Sequence, residues 1–192
     1  YGKLGGKELG YTSDLDLVYL FDDPDQEAGQ TYARLSNRLT TWLSGSTAAG
    51  TLYDIDLRLR PNGDDGFPVH STAAFDKYQH ENAWTWEHQS LTRARFVCGD
   101  PDIGRQFEDT RRRILRLRRD PDTLRREILA MREKITAAHP TLPTDIKYAR
   151  GGIVDVEFIV QYLILAHAAD CPALMDNTGN IALLETAAEH DL

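Results

Sequence analysis

The stretch GGKELGYTSDLDLVYLF, residues 5 to 21, sets a glycine pair and a serine ahead of two aspartates, Asp14 and Asp16, that open an apolar run. On an extended strand residues i and i+2 point to the same face, so the two carboxylates stand roughly 6.6 Å apart at Cβ. That spacing suits a bridged metal pair. Two divalent ions about 3.5–4 Å apart form a clamp for phosphoryl or nucleotidyl transfer, and Mg²⁺ is typically held by one or two carboxylates plus substrate phosphates. An Asp-x-Asp pair also occurs in acidic loops that merely solvate a strand end, so it needs a companion.

LYDIDLRLRP, residues 52 to 61, supplies one. Strict alternation puts Tyr53, Ile55, Leu57 and Leu59 on one face and Asp54, Asp56, Arg58 and Arg60 on the other, the pattern of a half-buried strand with a charged face. A third carboxylate beside Asp14 and Asp16 completes a metal triad. Arginines further along can take nucleotide phosphates, because guanidinium matches phosphate geometry bidentately. The plainer alternative is an edge strand whose outer Asp and Arg serve solubility. Gly5-Gly6 lets the backbone approach a ligand and aim amide N–H groups at phosphate, and Ser13 adds a hydroxyl; both also fit ordinary turn chemistry.

Taken together, GKLGGKELGYTSDLDL at residues 2 to 17 and DLRLRP at 56 to 61 resemble the nucleotidyltransferase superfamily of polymerase β type. More narrowly they resemble the glutamine synthetase adenylyltransferase family, whose two-headed members attach AMP to a tyrosine of glutamine synthetase and remove it. WTWEHQSLTRAR (84 to 95) and GGIVDVEFIVQYL (151 to 163) also look like that family, and more like its carboxy-terminal, adenylylating half. The resemblance implies an α+β fold: a mixed sheet with helices over residues 1 to 100, then an all-α helical bundle over 101 to 192. It implies a two-metal Mg²⁺ site on Asp14, Asp16 and Asp56, which are also the catalytic residues, with Asp56 drawing the proton from the attacking hydroxyl. Asp54 lies outside the family pattern. Gly5, Gly6, Ser13, Arg58 and Arg60 are the implied nucleotide contacts. ATP is then the substrate, glutamine synthetase the acceptor, and a PII signal protein a partner of the full-length enzyme.

Composition agrees with this. At 192 residues with 41% hydrophobic content, the chain can bury a sizeable core. It starts at Tyr1 almost directly on the glycine motif and stops after IALLETAAEH, which reads as an excised piece of a longer polypeptide. No signal peptide and no run of 18 uncharged apolar residues is seen, so a membrane role is not expected. Two cysteines, Cys98 and Cys171, in no metal spacing fit reduced thiols in a cytoplasmic protein. A net charge of −8 argues against nucleic acid as partner, since that affinity rests on a basic surface. The charge is uneven: residues 101 to 140 hold eleven Lys or Arg against seven Asp or Glu, and RRRILRLRR at 111 to 119 reads as a solvated helix face or, more sharply, a docking surface for an acidic partner. Two rival functions stand beside adenylyl transfer to glutamine synthetase. One is transfer to another acceptor by the same fold; the other is a nucleotide-sensing module without catalysis, which would be expected to have lost a carboxylate.

Along the chain the patterns predict a strand over 14 to 21 and a helix over 26 to 43, its Ala28, Tyr32, Leu35, Leu39 and Trp42 at helical spacing. The charged strand, a turn at Pro61 to Gly66 and a partner strand over 67 to 70 follow. Helices are predicted over 72–81, 84–96, 101–119, 122–138, 153–168 and 179–189, with breaks at Asp120-Pro121 and Gly151-Gly152. The 84–96 helix lines up Trp84, His88, Leu91 and Arg95, with Glu87, Arg93 and Arg95 as residues that can face a nucleotide and His88 as a structural histidine. The 153–168 helix is apolar nearly all round and so expected to be buried. Asp155 and Glu157 in its first turn fit helix-start chemistry, the sharper alternative being that Lys147, Asp155 or Glu157 borders the site.

Overall fold

The computed structural model describes residues 1–139, 142 and 144–192 and has an α+β fold. The chain divides into two compact units, one of Tyr1–Ala83 with Arg93–Arg111, the other of Trp84–Thr92 with Arg112–Leu192.

In the first unit a short helix α1 (Gly2–Gly5) precedes β1 (Leu15–Asp16) and β2 (Tyr19–Phe21). Then come α2 (Ala28–Leu43), a hairpin of β3 (Ser46–Thr47) and β4 (Gly50–Thr51), β5 (Ile55–Asp56), β6 (Val69–Ser71) and α3 (Thr72–Glu81). The expected strand over 14 to 21 is two ladders: β1 pairs parallel with β5 and β2 pairs parallel with β6. The expected strand over 52 to 61 pairs only at Ile55 and Asp56, because the chain turns directly afterwards. The Arg58 N–H donates to Asp56 Oδ1 at 2.8 Å, and the Arg60 N–H to the Leu57 carbonyl at 3.2 Å, which takes both arginines off the strand.

Helix α2 buries a stripe shifted from the expected one. Ala28 and Ser36 are buried, Tyr32 stacks on Phe21 with ring centroids 5.1 Å apart, and Thr40 bonds to the Tyr19 hydroxyl. Leu35 and Trp42, one heptad apart, are exposed. An α-helix repeats every 3.6 residues, so a 7-residue spacing drifts backward and leaves them beside the buried face rather than on it. Helix α3 is capped by the Ser71 hydroxyl, which accepts from the Ala74 N–H, and its fully buried Phe75 packs against Phe107.

In the second unit α4 (Thr85–Thr92) is shorter than the expected 84–96 helix. Glu87 Oε2 accepts from the Trp84 N–H at 2.8 Å, closing the helix start as a capping residue, while Trp84 itself is exposed and Arg95 lies beyond the helix. The remainder of α5 (Pro101–Leu115), α6 (Pro121–Ala138), α7 (Ile153–His167) and α8 (Asn180–Glu189) follows. Asp120 caps α6, and Pro121 sits at its first position, where a missing N–H costs nothing. The core gathers Leu115, Leu124, Ile128, Val160, Ile164 and Leu165 with Leu174, Met175 and Leu183. Contrary to the pattern of an all-round apolar helix, α7 leaves Ile153, Val156 and Ile159 exposed. A cavity of about 1000 Å³ opens beside that face, between α6 and α7.

The basic run 111–119 is not simply a solvated face. Arg111 is 2% exposed and pairs with Glu108 at 2.9 Å. Arg119 donates to the carbonyls of Ile114, Leu117 and Leu165 and to His88 Nδ1, so it ties helix ends together. Burial pushes its guanidinium down to about 10.

Candidate active site

The parallel ladder of β1 and β5 builds the site. Its register sets Leu15 beside Ile55 and Asp16 beside Asp56, fixed by N–H bonds from Leu15 to the Asp54 carbonyl (2.8 Å) and from Leu17 to the Asp56 carbonyl (2.9 Å). Leu15 points into the core, so its neighbours Asp14 and Asp16 face the other way. Asp14, Asp16 and Asp56 each offer one carboxylate oxygen, and these lie within 4.8 Å of one another. Asp54 is exposed and outside the trio.

Three like charges this close oppose one another. Burial, and then the neighbouring Asp14 and Asp56 charges, push the Asp16 carboxyl above its ordinary value. Asp56 goes the other way: hydrogen bonds from Arg58 hold its carboxyl below the ordinary value. A group of hard oxygen donors with unfavourable mutual charge fits a divalent cation such as Mg²⁺.

Gly2 is part of this site, although the sequence pattern did not single it out. Its φ is +52°, and a Cβ there would fall 1.9 Å from Asp16 Oδ2, so only glycine lets α1 lie against that carboxylate. The signal was present as the first glycine of GKLGG.

The glycine pair lies elsewhere than at an open turn. The N–H groups of Gly5 and Gly6 donate to the carbonyls of Tyr1 (2.7 Å) and Gly2 (2.9 Å), inside α1. A Cβ on Gly5 would stand 2.0 Å from the Arg93 carbonyl oxygen, and one on Gly6 2.6 Å from the Arg93 guanidinium. Close packing against the Arg93 backbone therefore accounts for Gly5, whereas Gly6 faces the movable end of the Arg93 side chain. Arg93 pairs with Glu8 at 2.6 Å, and Arg95 donates to the Leu4 carbonyl at 3.1 and 3.2 Å, so these arginines hold α1 in place. Ser13 is buried, and its hydroxyl oxygen accepts from the Gly10 N–H at 3.0 Å, shaping the loop into Asp14.

The two arginines after Asp56 part company. Arg58, 72% exposed at its side chain, grips Asp56 with Nε at 2.9 and 3.1 Å and with Nη2. Arg60, only 12% exposed, donates to the carbonyls of Leu57 (2.7 Å), Asp64 (3.2 Å) and Gly66 (3.3 Å) and builds the 61–66 turn. In the second unit, Asp155 pairs with Arg132 and accepts from the Gly151 N–H at 2.6 Å, and the Lys147 ammonium lies 4.8 Å from the Tyr148 ring centroid.

Comparison with known proteins agrees with the sequence resemblance. Residues 1–110 match the family model described as glutamate-ammonia ligase adenylyltransferase. The chain is similar to proteins named bifunctional glutamine synthetase adenylyltransferase/adenylyl-removing enzyme. That of Neisseria meningitidis serogroup A is 66% identical over 98% of this chain and 21% of the relative. Those of Chromobacterium violaceum and Bordetella bronchiseptica are 62% and 56% identical over the whole chain and 22% and 21% of theirs. The chain thus spans about a fifth of the length of these relatives. With its two motifs folded into one carboxylate trio and the family model matched across them, the chain belongs to the glutamate-ammonia ligase adenylyltransferase family.

Proposed function

We propose that the first unit is the catalytic part of a Mg²⁺-dependent adenylyltransferase that moves AMP from ATP to a tyrosine hydroxyl of glutamine synthetase, and that the second is its helical companion. The observation that carries this is the Asp16–Asp56 register, which brings two distant motifs into one trio of oxygen ligands. Asp14, Asp16 and Asp56 would hold the metal, and Mg²⁺ bound there supplies charge neutralisation at the phosphates.

The chain's own residues do the rest. Gly2 and the register orient Asp16 and Asp56. The acceptor tyrosine, with an ordinary pKa near 10, is almost wholly un-ionised at neutral pH, so its proton must be taken as it attacks; Asp56 is the group assigned to take it. Tyrosine oxygen bonds to the α-phosphorus, the α–β bridging bond breaks, and pyrophosphate leaves. Arg58 is the arginine whose exposure leaves it able to reach phosphate; Arg60 is committed to its turn. Ser13 shapes the loop that leads into Asp14, its hydroxyl accepting from the Gly10 N–H. No helix among the described residues is long and apolar enough to cross a membrane.

Because the relatives are named for both attachment and removal of AMP, the direction needs its own test. The full-length polypeptide carrying this segment, with any second head disabled, is given unmodified glutamine synthetase, [α-³²P]ATP and Mg²⁺. It should label the acceptor and release pyrophosphate. Given adenylylated glutamine synthetase and inorganic phosphate, it should release little ADP. ADP in the second assay without label in the first reverses the direction while keeping the site.

A further inference from the structure

Asp56 has a partner within its own chain. Its Oδ1 accepts from both the backbone N–H and the Nε of Arg58, and its Oδ2 accepts from Nε and Nη2 of the same residue. The fork meets the carboxylate bidentately, the geometry in which guanidinium binds oxyanions best. The guanidinium thus lies on a carboxylate that belongs to the trio. The two partners are unequal: Asp56 is largely enclosed, at 15% exposure of its side chain, whereas Arg58 is mostly in solvent. Arg58 is the partner free to move: its guanidinium lies mostly in solvent, where a multivalent ion can compete with it for the carboxylate. Arg60, two residues on, cannot substitute, since its guanidinium is held by three carbonyls.

We propose that Arg58 is a removable internal counter-ion for Asp56: it covers the third ligand of the trio in the metal-free protein and must release it before Asp56 can ligate a divalent cation. This rests on the metal reading of the trio given above. Arg58 thereby acts as a positioning residue that competes with the metal. Released from Asp56, the guanidinium stays within two residues of the site, which makes it available to a substrate phosphate at the same moment the metal site fills.

The test is a nucleotide-free Mn²⁺ titration of the full-length polypeptide, followed by electron paramagnetic resonance, with the Asp14→Asn variant as blank for metal bound elsewhere. Arg58→Ala should bind Mn²⁺ about fivefold tighter than the unaltered protein, the scale of losing one exposed ion pair. Arg58→Lys should fall between them, because its ammonium keeps the charge but lacks the fork. Equal or weaker binding by Arg58→Ala overturns the latch and leaves the metal reading intact. Tighter binding by Arg58→Ala with Arg58→Lys unchanged also overturns it, by showing a general charge effect. If the unaltered protein binds no Mn²⁺ beyond the blank, the metal reading fails, and the latch with it.

Discussion

At the residue scale, Asp16 is where charge and position conflict most, because it is half-buried between two other carboxylates. Its folded-state pKa is raised above the unfolded value, so the folded state favours the neutral form. The stability Asp16 contributes is therefore fully present below about pH 4 and lost as pH rises through the raised value. In metal-free protein Asp16→Asn should accordingly raise Tm at pH 7, by about 2–4 °C for each 1 kcal/mol of repulsion relieved, and leave it unchanged near pH 3. Thermal melts at the two pH values check this; a lower Tm at pH 7 would show that the carboxylate stabilises the fold. Gly2→Ala should act on the same group by a different route. Its Cβ collides with the Asp16 carboxylate and its φ disfavours any other residue, so both stability and transfer should fall, by roughly 1 kcal/mol or more and at least tenfold. Denaturant melts together with transfer assays would read both.

At the element scale, the long elements were legible because each carries its own punctuation. Ser71 ahead of α3, Asp120-Pro121 ahead of α6 and Gly151-Gly152 ahead of α7 mark starts that the structure keeps within one or two residues. The strands were less legible. Ladders of two or three residues are shorter than any alternation that can define them, and a turn built from side-chain bonds, as at Arg58 and Arg60, leaves the alternating pattern running past the real strand end. That is why the sequence assigned the two arginines one role and the structure separates them. The chemistry of the trio was readable from Asp14, Asp16 and Asp56; what Gly2, Gly5 and Gly6 do depends on contacts with Asp16 and Arg93, which no local pattern encodes. The separation of the arginines has a measurable consequence. Arg60→Ala abandons three carbonyls around the 61–66 turn and should cost about 1–3 kcal/mol in denaturant unfolding. Arg58→Ala should cost about 1 kcal/mol or less. Equal losses would mean that Arg60 does not build the turn.

At the scale of the whole molecule, the basic run is partly consumed inside the structure, through Arg111 and Arg119, so less of it faces solvent than its sequence suggests. On the proposed reading all the chemistry lies in the first unit, on and beside a ladder two residues long, so a single comparison tests it. Transfer of label from [α-³²P]ATP to purified glutamine synthetase is measured for the unaltered protein and for Asp14→Asn, Asp16→Asn, Asp56→Asn and Asp54→Asn in the same background. Loss of a ligand in the trio should lower the rate by about a hundredfold to a thousandfold or more, the scale of removing one electrostatic contact to a transition state. Asp54→Asn, which shares the local sequence but not the trio, should lose tenfold or less. If any trio variant keeps more than about a tenth of the activity, or if Asp54→Asn falls as far as Asp56→Asn, the carboxylates of β1 and β5 are not the catalytic centre.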